Sequence, residues 1–470
     1  MILQPSISMI ARTARLVSLP LLVAAFGVAP AHAQHFPSDA EIEAILQQRI
    51  DEGRGVGIVV GVLEADGTTR IVSSGEAGPG ARPLGPKSMF EIGSITKVFT
   101  GTLLALLDAE GRVEIEAPVQ RYLPDGVTMP TRPGQQIRMV DLATHRSALP
   151  RLPGNMAPAD VANPYADYTV DMMYDFLSSH DLRRDVGAEA EYSNLGVGLL
   201  GEVMAHTGGT DYETLVTSKI LEPLGMAMTT ITLAGEAESW MVRGHNEQRV
   251  PVPLWDLPAV AGAGALRSNM EDMLTFLAAN VGPAGGPVEE GLRAAHAPRE
   301  TMGPGVEIGL NWITQTTPNS TIVWHNGGTG GFRTYLGFEP SLGVGVVVLT
   351  NSTHGADDIG AHLIDSTLPL APAPTPPAER VEVTVPASVL ERYVGEYELA
   401  PNFTIVVSLE GEALFVQATG QPRFPIFAES ETEFFLRVVD AQVTFVLENE
   451  ATTGLVLHQG GADQPARKIR

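Results

Sequence analysis

The stretch Gly93-Ser94-Ile95-Thr96-Lys97 opens a run of mainly apolar residues that extends to Leu107. Residues three positions apart lie on one face of a helix, so the side chains of Ser94 and Lys97 can meet there. A lysine in apolar surroundings has a lowered pKa and, once neutral, can receive the proton of a serine hydroxyl. The pair predicts a serine nucleophile activated by a lysine, although alone it also fits a helix-capping serine followed by a surface lysine.

The sequence around this pair predicts an α+β fold. The apolar run predicts a buried helix from residue 94 to about residue 110, ended by Gly111, because its apolar side chains cover more than one face. A mostly helical stretch follows, and β-type patterns occur at residues 57–64, 68–73, 321–324, 334–338 and 344–350. We therefore expect one antiparallel sheet that joins both ends of the region, flanked by helices, with an all-helical subdomain between its strands.

Composition along the chain divides it into four segments. Residues 1–33 predict a signal peptide, with basic residues, an apolar stretch and the cleavage pattern Ala31-His32-Ala33, and hence secretion to the periplasm without stable membrane insertion. Residues 34–370 form the α+β domain, and the proline-rich residues 371–380 form an extended linker. Residues 381–470 predict a small antiparallel β-barrel, with short strands near 403–409, 413–418, 424–427, 434–439, 443–447 and 454–457.

Charge and residue content narrow the possible chemistry. The formal net charge of −25 disfavours nucleic acid as a partner, because the chain repels phosphate backbones. The chain contains no cysteine, which excludes disulfides and thiolate nucleophiles. Neither a zinc-binding His/carboxylate motif nor a nucleotide-binding glycine motif occurs, so we expect no metal and no cofactor.

Two further motifs carry residues that suit acyl-transfer chemistry. Tyr192-Ser193-Asn194 supplies a phenol, which can act as a base where positive charge lowers its pKa, and an amide that can orient a lysine or a substrate. His325-Asn326-Gly327-Gly328 follows a predicted strand, and its glycines allow close approach of a ligand to the backbone. The N–H group of Gly328 can then stabilise an oxyanion together with that of Ser94. Each motif also has a purely structural interpretation: Tyr192-Ser193-Asn194 fits a helix-capping loop, and the segment after His325 fits a glycine-rich turn.

Together, Ser-x-x-Lys, Tyr-x-Asn and His-x-Gly resemble the motifs of the penicillin-recognising serine hydrolases. The closest resemblance is to the class C β-lactamase group, which includes D,D-carboxypeptidases, D-aminopeptidases and family VIII esterases. It covers roughly residues 40 to 365, and softer matches lie at 142–150, 220–226 and 261–268. The tail resembles the lipocalin-like barrel of some peptidase members.

The resemblance implies an acyl-enzyme mechanism. It makes Ser94 the nucleophile, Lys97 and Tyr192 the proton-transfer groups, and Asn194 and His325 parts of the polar wall around the substrate. It implies a small-molecule or peptide substrate, namely a β-lactam, a D-aminoacyl peptide or an ester. It leaves the oligomeric state open.

Two positions depart from the pattern of most β-lactamases of this class. His325 stands where lysine is usual and is expected to be only partly charged near neutral pH. Asn326 stands where threonine is usual, so the resemblance does not carry over the usual contact of that position with a substrate carboxylate. Arg333 is an alternative carboxylate partner, but a structural or surface role is expected for it.

The sequence therefore predicts a serine hydrolase with β-lactamase-type activity. Peptidase or esterase activity within the same group is the nearest alternative. A catalytically silent protein that binds cell-wall fragments is the alternative from another class.

Overall fold

A computed structural model describes residues 34–373, 380–400, 403–419, 423–437, 441–449, 451–459 and 462–470. The expected signal peptide and most of the expected linker lie outside these ranges. The chain divides into two compact units, of which the first ends at Ala371 and the second begins at Pro372. None of the helices in the described ranges is long and apolar enough to cross a membrane.

The first unit combines helices with short and long strands. Its helices are α1 Asp39–Asp51, α2 Thr96–Ala109, α3 Met139–Ala143, α4 Val170–Ser179, α5 Asn194–Gly208, α6 Tyr212–Val216, α7 Glu222–Leu224, α8 Gly235–Ser239, α9 Ala261–Gly264, α10 Met270–Val281, α11 Gly286–His296 and α12 Asp357–Ile364. Its strands are β1 Gly57–Leu63, β2 Thr69–Gly75, β3 Phe90–Glu91, β4 Gly244–His245, β5 Pro251–Val252, β6 Arg267–Ser268, β7 Glu300–Gly303, β8 Val306–Ile308, β9 Ile313–Thr316, β10 Thr321–Gly328, β11 Arg333–Glu339 and β12 Val344–Thr350.

One antiparallel sheet joins the two ends of this unit, which confirms the predicted α+β fold. Its strand order is β2-β1-β12-β11-β10-β9-β8-β7. The register of β1 against β12 runs from the pair Ile58–Thr350 to the pair Leu63–Gly345. Every residue of β1 and β12 is buried, because helices cover both faces of the sheet. The helices between β2 and β7 form the expected helical part.

Helix α2 lies in the main hydrophobic core and carries the predicted lysine. All residues from Thr96 to Leu107 are buried. The chain leaves the helix through Gly111, whose φ of 69° lies in the left-handed region that favours glycine. The expected start at Ser94 is corrected by two residues: Gly93–Ile95 form a tighter turn, in which the N–H of Ile95 donates to the carbonyl of Ile92.

The second unit is the expected barrel, closed by antiparallel neighbours. It contains α13 Ala387–Leu390, β13 Gly395–Ala400, β14 Phe403–Glu410, β15 Ala413–Ala418, β16 Phe424–Ala428, β17 Glu433–Phe435, β18 Ala441–Glu448, β19 Ala451–Gln459 and β20 Ala462–Lys468. Aromatic rings pack in its interior, where the ring centres of Tyr393 and Phe445 lie 4.1 Å apart in a stacked arrangement. In place of the strand expected at 434–439, the described residues contain the shorter strand β17, Glu433–Phe435. The strands β13 and β20 were not predicted from the sequence.

Candidate active site

Ser94 and Lys97 meet at the start of α2. Ser94 lies in the turn before the helix and is partly exposed, whereas Lys97 is fully buried. The Nζ atom of Lys97 lies 3.1 Å from the hydroxyl oxygen of Ser94. It also lies 2.8 Å from Oδ1 of Asn194 and 2.6 Å from the carbonyl oxygen of Ala263. The lysine thus has three polar neighbours, none of which carries a negative charge.

The surroundings of Lys97 favour its neutral form. Burial lowers the pKa of Lys97 well below its ordinary value of 10.5, and the nearby positive charge of Arg151 lowers it further. A neutral amine has two N–H groups and one lone pair. The two N–H groups fit the oxygens of Asn194 and Ala263, and the lone pair is then left for the hydroxyl proton of Ser94.

Tyr192 stands beside this pair at the entrance to α5. The Ser193 side chain caps α5 by accepting a hydrogen bond of 2.8 Å from the N–H of Gly196, and this fixes the preceding tyrosine. Nζ of Lys97 lies 4.8 Å from the centre of the Tyr192 ring. Burial raises the pKa of Tyr192 to about 12, against the opposing effects of a hydrogen bond with Ser94 and the charge of Arg151. The lowered pKa that a base role would require is therefore not found, and the free site holds a neutral phenol.

Asn194 connects the lysine with an aromatic wall. Its Oδ1 accepts from Lys97, and its Nδ2 lies 3.4 Å from the hydroxyl of Tyr165. The ring of Tyr165 packs 5.4 Å from that of Trp255. Asn194 and Trp255 are partly exposed, as is Ser94.

His325 reaches the site from β10 and is buried. Its Nδ1 lies 2.6 Å from the carbonyl oxygen of Asn326, so Nδ1 carries the proton and Nε2 holds a lone pair. Burial lowers the pKa of His325 to about 3. The expected partial charge near neutral pH is therefore corrected: this histidine is neutral and exerts no net pull on a carboxylate.

Asn326 and Arg333, the latter being the alternative carboxylate partner named from the sequence, both form hydrogen bonds with other groups of the protein. Adjacent residues of a strand face opposite sides of the sheet, and Asn326 donates from Nδ2 to Asp357 at the start of α12, 2.5 Å away. Nη1 of Arg333 donates to the carbonyl oxygens of Thr329 and Phe332, each 2.8 Å away. The expected structural role of Arg333 agrees with these contacts.

The glycines after His325 allow β10 to touch the turn that holds Ser94. A Cβ atom on Gly327 would lie 2.0 Å from the carbonyl oxygen of Ile92, and one on Gly93 would lie 2.6 Å from the nitrogen of Gly328. The backbone of Gly328 therefore lies beside the residue that precedes the nucleophile. The backbone nitrogens of Ser94 and Gly328 thus belong to two neighbouring segments of the chain.

Two residues of the site were not singled out from the sequence. Glu91 is buried at the end of β3, where its carboxylate accepts from the hydroxyl of Thr329 and from the N–H of Trp255, each 2.7 Å away. It therefore connects the strand before the nucleophile to the glycine-rich turn after β10. The other is Arg151, whose guanidinium carbon lies 5.0 Å from the centre of the Tyr192 ring. Glu91 could have been noticed in the sequence as a carboxylate two residues before Gly93. Arg151 belongs to no motif that would have pointed to it.

His145 lies beside Tyr192. It is buried, and its Nδ1 accepts from the N–H of Ser193 at 3.2 Å. Its ring lies 4.4 Å from the Tyr192 ring. Burial lowers the pKa of His145 well below 6.5, so it supports the tyrosine as a neutral group.

This constellation of serine, lysine, tyrosine and a glycine-rich strand can be compared with known proteins. The family model described as "Beta-lactamase" matches residues 42–368. The chain belongs to the beta-lactamase family. Members of this serine hydrolase family include both β-lactamases and D-alanyl-D-alanine carboxypeptidases. A second model, described as a domain of unknown function, matches residues 379–467.

Three similar proteins illustrate the range of this family. The chain is 31% identical to the D-alanyl-D-alanine-carboxypeptidase/endopeptidase AmpH of Escherichia coli K12, over 63% of this chain and 80% of that protein. It is 28% identical to penicillin-binding protein 4* of Bacillus subtilis, over 83% and 89% of the two chains. A solved class C beta-lactamase from Rhodobacter sphaeroides is 26% identical, with a TM-score of 0.60, over 70% and 98%. The beta-lactamase family fold thus accounts for the first unit.

Proposed function

We propose that this protein hydrolyses amide bonds through an acyl intermediate on Ser94, most closely in the manner of a β-lactamase. The observation that carries the proposal is the set of three contacts of Lys97. A buried, neutral amine with both N–H groups engaged presents its lone pair to Ser94, which is what a general base for a serine hydroxyl requires.

The reaction begins with attack of the Ser94 oxygen on the substrate carbonyl, while the hydroxyl proton moves to Lys97. The backbone N–H groups of Ser94 and Gly328 stabilise the negative charge that develops on the carbonyl oxygen. Asn194 orients Lys97 through its amide oxygen.

Collapse of the tetrahedral intermediate releases the leaving group. Tyr192 gives its phenolic proton to the leaving nitrogen and regains a proton from the Lys97 ammonium group. Water then attacks the acyl carbonyl and gives one proton to the neutral Lys97. The bond between the acyl carbon and the Ser94 oxygen breaks, the acid is released, and Ser94 regains its proton from Lys97. A phenol whose pKa is about 12 is protonated at neutral pH and fits this acid role.

A D,D-carboxypeptidase is the second candidate, and the neutral His325 favours it. The relative with 31% identity is named a D-alanyl-D-alanine-carboxypeptidase/endopeptidase, and a neutral histidine replaces the lysine that is usual in β-lactamases of class C. Esterase activity belongs to the same mechanism with an oxygen leaving group. Export by the signal sequence predicted at residues 1–33, to the periplasm where such peptides occur, is part of this proposal.

The test compares the native protein with Ser94→Ala, using the exposed Ser239→Ala as the control. A fluorophosphonate probe is expected to label the native protein and the control but not Ser94→Ala. Turnover of a chromogenic cephalosporin, a D-alanyl-D-alanine peptide and a p-nitrophenyl ester then ranks the activities. Absence of labelling in the native protein would contradict the proposal and favour a silent binding protein.

A further inference from the structure

Glu91 carries a carboxylate that is buried three residues before the nucleophile. Its Oε2 accepts from the hydroxyl of Thr329 at 2.7 Å, and its Oε1 accepts from the N–H of Trp255 at 2.7 Å. Nη2 of Arg267 lies 3.6 Å from Oε1. All three neighbours are hydrogen-bond donors, so the group acts as an ionised, accepting carboxylate. The proton transfers of the acyl-serine reaction do not involve it.

Arg267 holds this carboxylate from the opposite strand. Glu91 and Arg267 face each other in the strand pair of β3 and β6. The arginine is buried, and its Nη2 donates to the carbonyl oxygen of Trp255 at 2.8 Å, while its Nη1 donates to that of Ile231. A planar guanidinium group held by two backbone carbonyls is a rigid counter-ion. Glu91 therefore has a fixed place on its own side of the site.

Thr329 directly follows Gly328 at the end of β10. Its N–H donates to the carbonyl oxygen of Phe332 at 3.1 Å, and its own carbonyl oxygen accepts from Nη1 of Arg333 at 2.8 Å. These two hydrogen bonds stay within the glycine-rich turn. The hydroxyl of Thr329, in contrast, leaves the turn and donates to Glu91. This bond therefore joins the turn to the chain segment of the nucleophile.

The same two segments also touch through their backbones. A Cβ atom on Gly93 would lie 2.6 Å from the nitrogen of Gly328. From β11, the hydroxyl of Thr334 donates to the carbonyl oxygen of Ile92 at 2.9 Å. Two side-chain hydrogen bonds thus join the nucleophile segment to the strands around Gly328, one from Thr334 and the other from Thr329.

We propose that Glu91 is a positioning residue for the N–H of Gly328 in the oxyanion site. By holding Thr329, its carboxylate keeps that N–H at a set position relative to the nucleophile. The inference rests on the proposed acyl-serine mechanism and adds a residue that acts through another one. A charge-assisted hydrogen bond fixes distance and direction between two segments. Because oxyanion stabilisation depends on donors that are in place before the reaction, a shift of one donor lowers the rate in protein that is still folded.

The experiment measures kcat/KM for a p-nitrophenyl ester per active site, with the sites counted by complete labelling with the fluorophosphonate probe. Thr329→Val removes the hydroxyl and keeps the shape, Glu91→Ala removes the carboxylate, and the double variant removes both. Inhibition by phenylboronic acid, which forms a tetrahedral adduct with a serine, is measured on the same variants. Counting the sites separates a loss of positioning from a loss of folded protein.

Thr314→Val is the matched control. Thr314 is a buried threonine of the neighbouring strand β9, and its hydroxyl has no hydrogen-bond partner among the described residues. The substitution is the same as at Thr329 but breaks no hydrogen bond. The control should therefore keep the native kcat/KM per site.

Thr329→Val is expected to lower kcat/KM per site about tenfold, which is part of the loss seen when an oxyanion donor is removed altogether. The inhibition constant of phenylboronic acid should rise by a similar factor, because its adduct uses the same N–H groups. The double variant should lose no more than Glu91→Ala, since both changes break one hydrogen bond. Glu91→Gln can still bond to Thr329 and Trp255 and should restore most of the activity.

Several results would overturn the inference. Native kcat/KM per site in Thr329→Val contradicts it, and so do additive losses in the double variant. Fewer labelled sites with a native rate per site would show that Glu91 serves stability alone. Thr329→Val decides by itself where Glu91→Ala yields no folded protein. These results leave the proposed function standing, whereas absence of labelling in the native protein overturns both.

Discussion

The Nζ atom of Lys97 lies 3.1 Å from the hydroxyl oxygen of Ser94, and the same lysine is fully buried among uncharged neighbours. A charged ammonium in this position would lack a counter-ion, so its neutral form is favoured. The contact between Nζ of Lys97 and the hydroxyl of Ser94, together with the burial of that Nζ atom, therefore identifies the candidate nucleophile and its base.

Replacement of Lys97 by methionine should remove acylation. We expect kcat/KM to fall by about 10²–10⁴-fold, the range for loss of a positioned general base, because Met keeps the shape of the side chain but has no lone pair of comparable basicity. Steady-state kinetics and fluorophosphonate labelling measure the effect. Lys219→Met, which breaks the surface pair with Glu110, is the control and should retain native activity. Equal losses in both variants would contradict the role of Lys97.

The pH dependence of the native enzyme should show an acid limb that reports protonation of Lys97. Because burial and Arg151 both lower the pKa of Lys97, this limb lies well below pH 10.5. Arg151→Gln removes a positive charge, which makes protonation of Lys97 easier and moves the limb to higher pH. A kcat/KM profile on a neutral ester measures the shift, with Arg183→Gln as control. An unmoved limb would show that Arg151 does not act on Lys97.

Protonation of His325 should contribute to acid unfolding. Its pKa is about 3 in the folded state against an ordinary value of 6.5, so the unfolded chain binds the extra proton first. Stability is therefore lost as pH falls from 6.5 towards 3, at up to about 1.4 kcal/mol per pH unit from this group. Urea unfolding at pH 7 and pH 4.5 should show a smaller difference for His325→Gln than for the native protein. The exposed His35→Gln should keep the native difference.

A methyl group at Gly327 should disrupt the approach of β10 to the nucleophile turn. The added Cβ would lie 2.0 Å from the Ile92 oxygen and 2.2 Å from Oγ1 of Thr334, both fixed groups. We expect Gly327→Ala to lose about 1–3 kcal/mol of stability and most of its activity, since the Gly328 N–H moves with the strand. Thermal unfolding and labelling measure this. Gly85→Ala, where the Cβ meets no atom within 4 Å, should behave as the native protein.

Much of the fold and the core of the site could be predicted from the sequence, because periodicity and motif spacing report local geometry. The hairpin of β1 and β2, the strand β12 and the pair Ser94–Lys97 follow from such patterns. The sequence did not predict β20, because Pro465 disfavours a strand. In the described residues, β20 pairs with β13 at Arg467 and Lys468, whereas Pro465 lies opposite Val456 of β19.

Properties that depend on the assembled core were the ones mispredicted. The charge of His325 and the pKa of Tyr192 are set by burial, which no local pattern reveals. Arg151 escaped notice because its importance comes from Tyr192, which lies far along the chain and close only in the folded protein.

The pairing of β1 with β12 also bears on how the protein folds. The paired residues Ile58 and Thr350 are separated by about 290 positions in the chain, so the central sheet is closed by a contact of very long range. Contacts of this kind form slowly, because the entropy of a large loop must be lost before the strands gain their hydrogen bonds. A nascent chain that has not yet reached β12 therefore lacks the strand that joins β1 to β11. The catalytic surroundings of Ser94 then assemble only after most of the polypeptide has been synthesised.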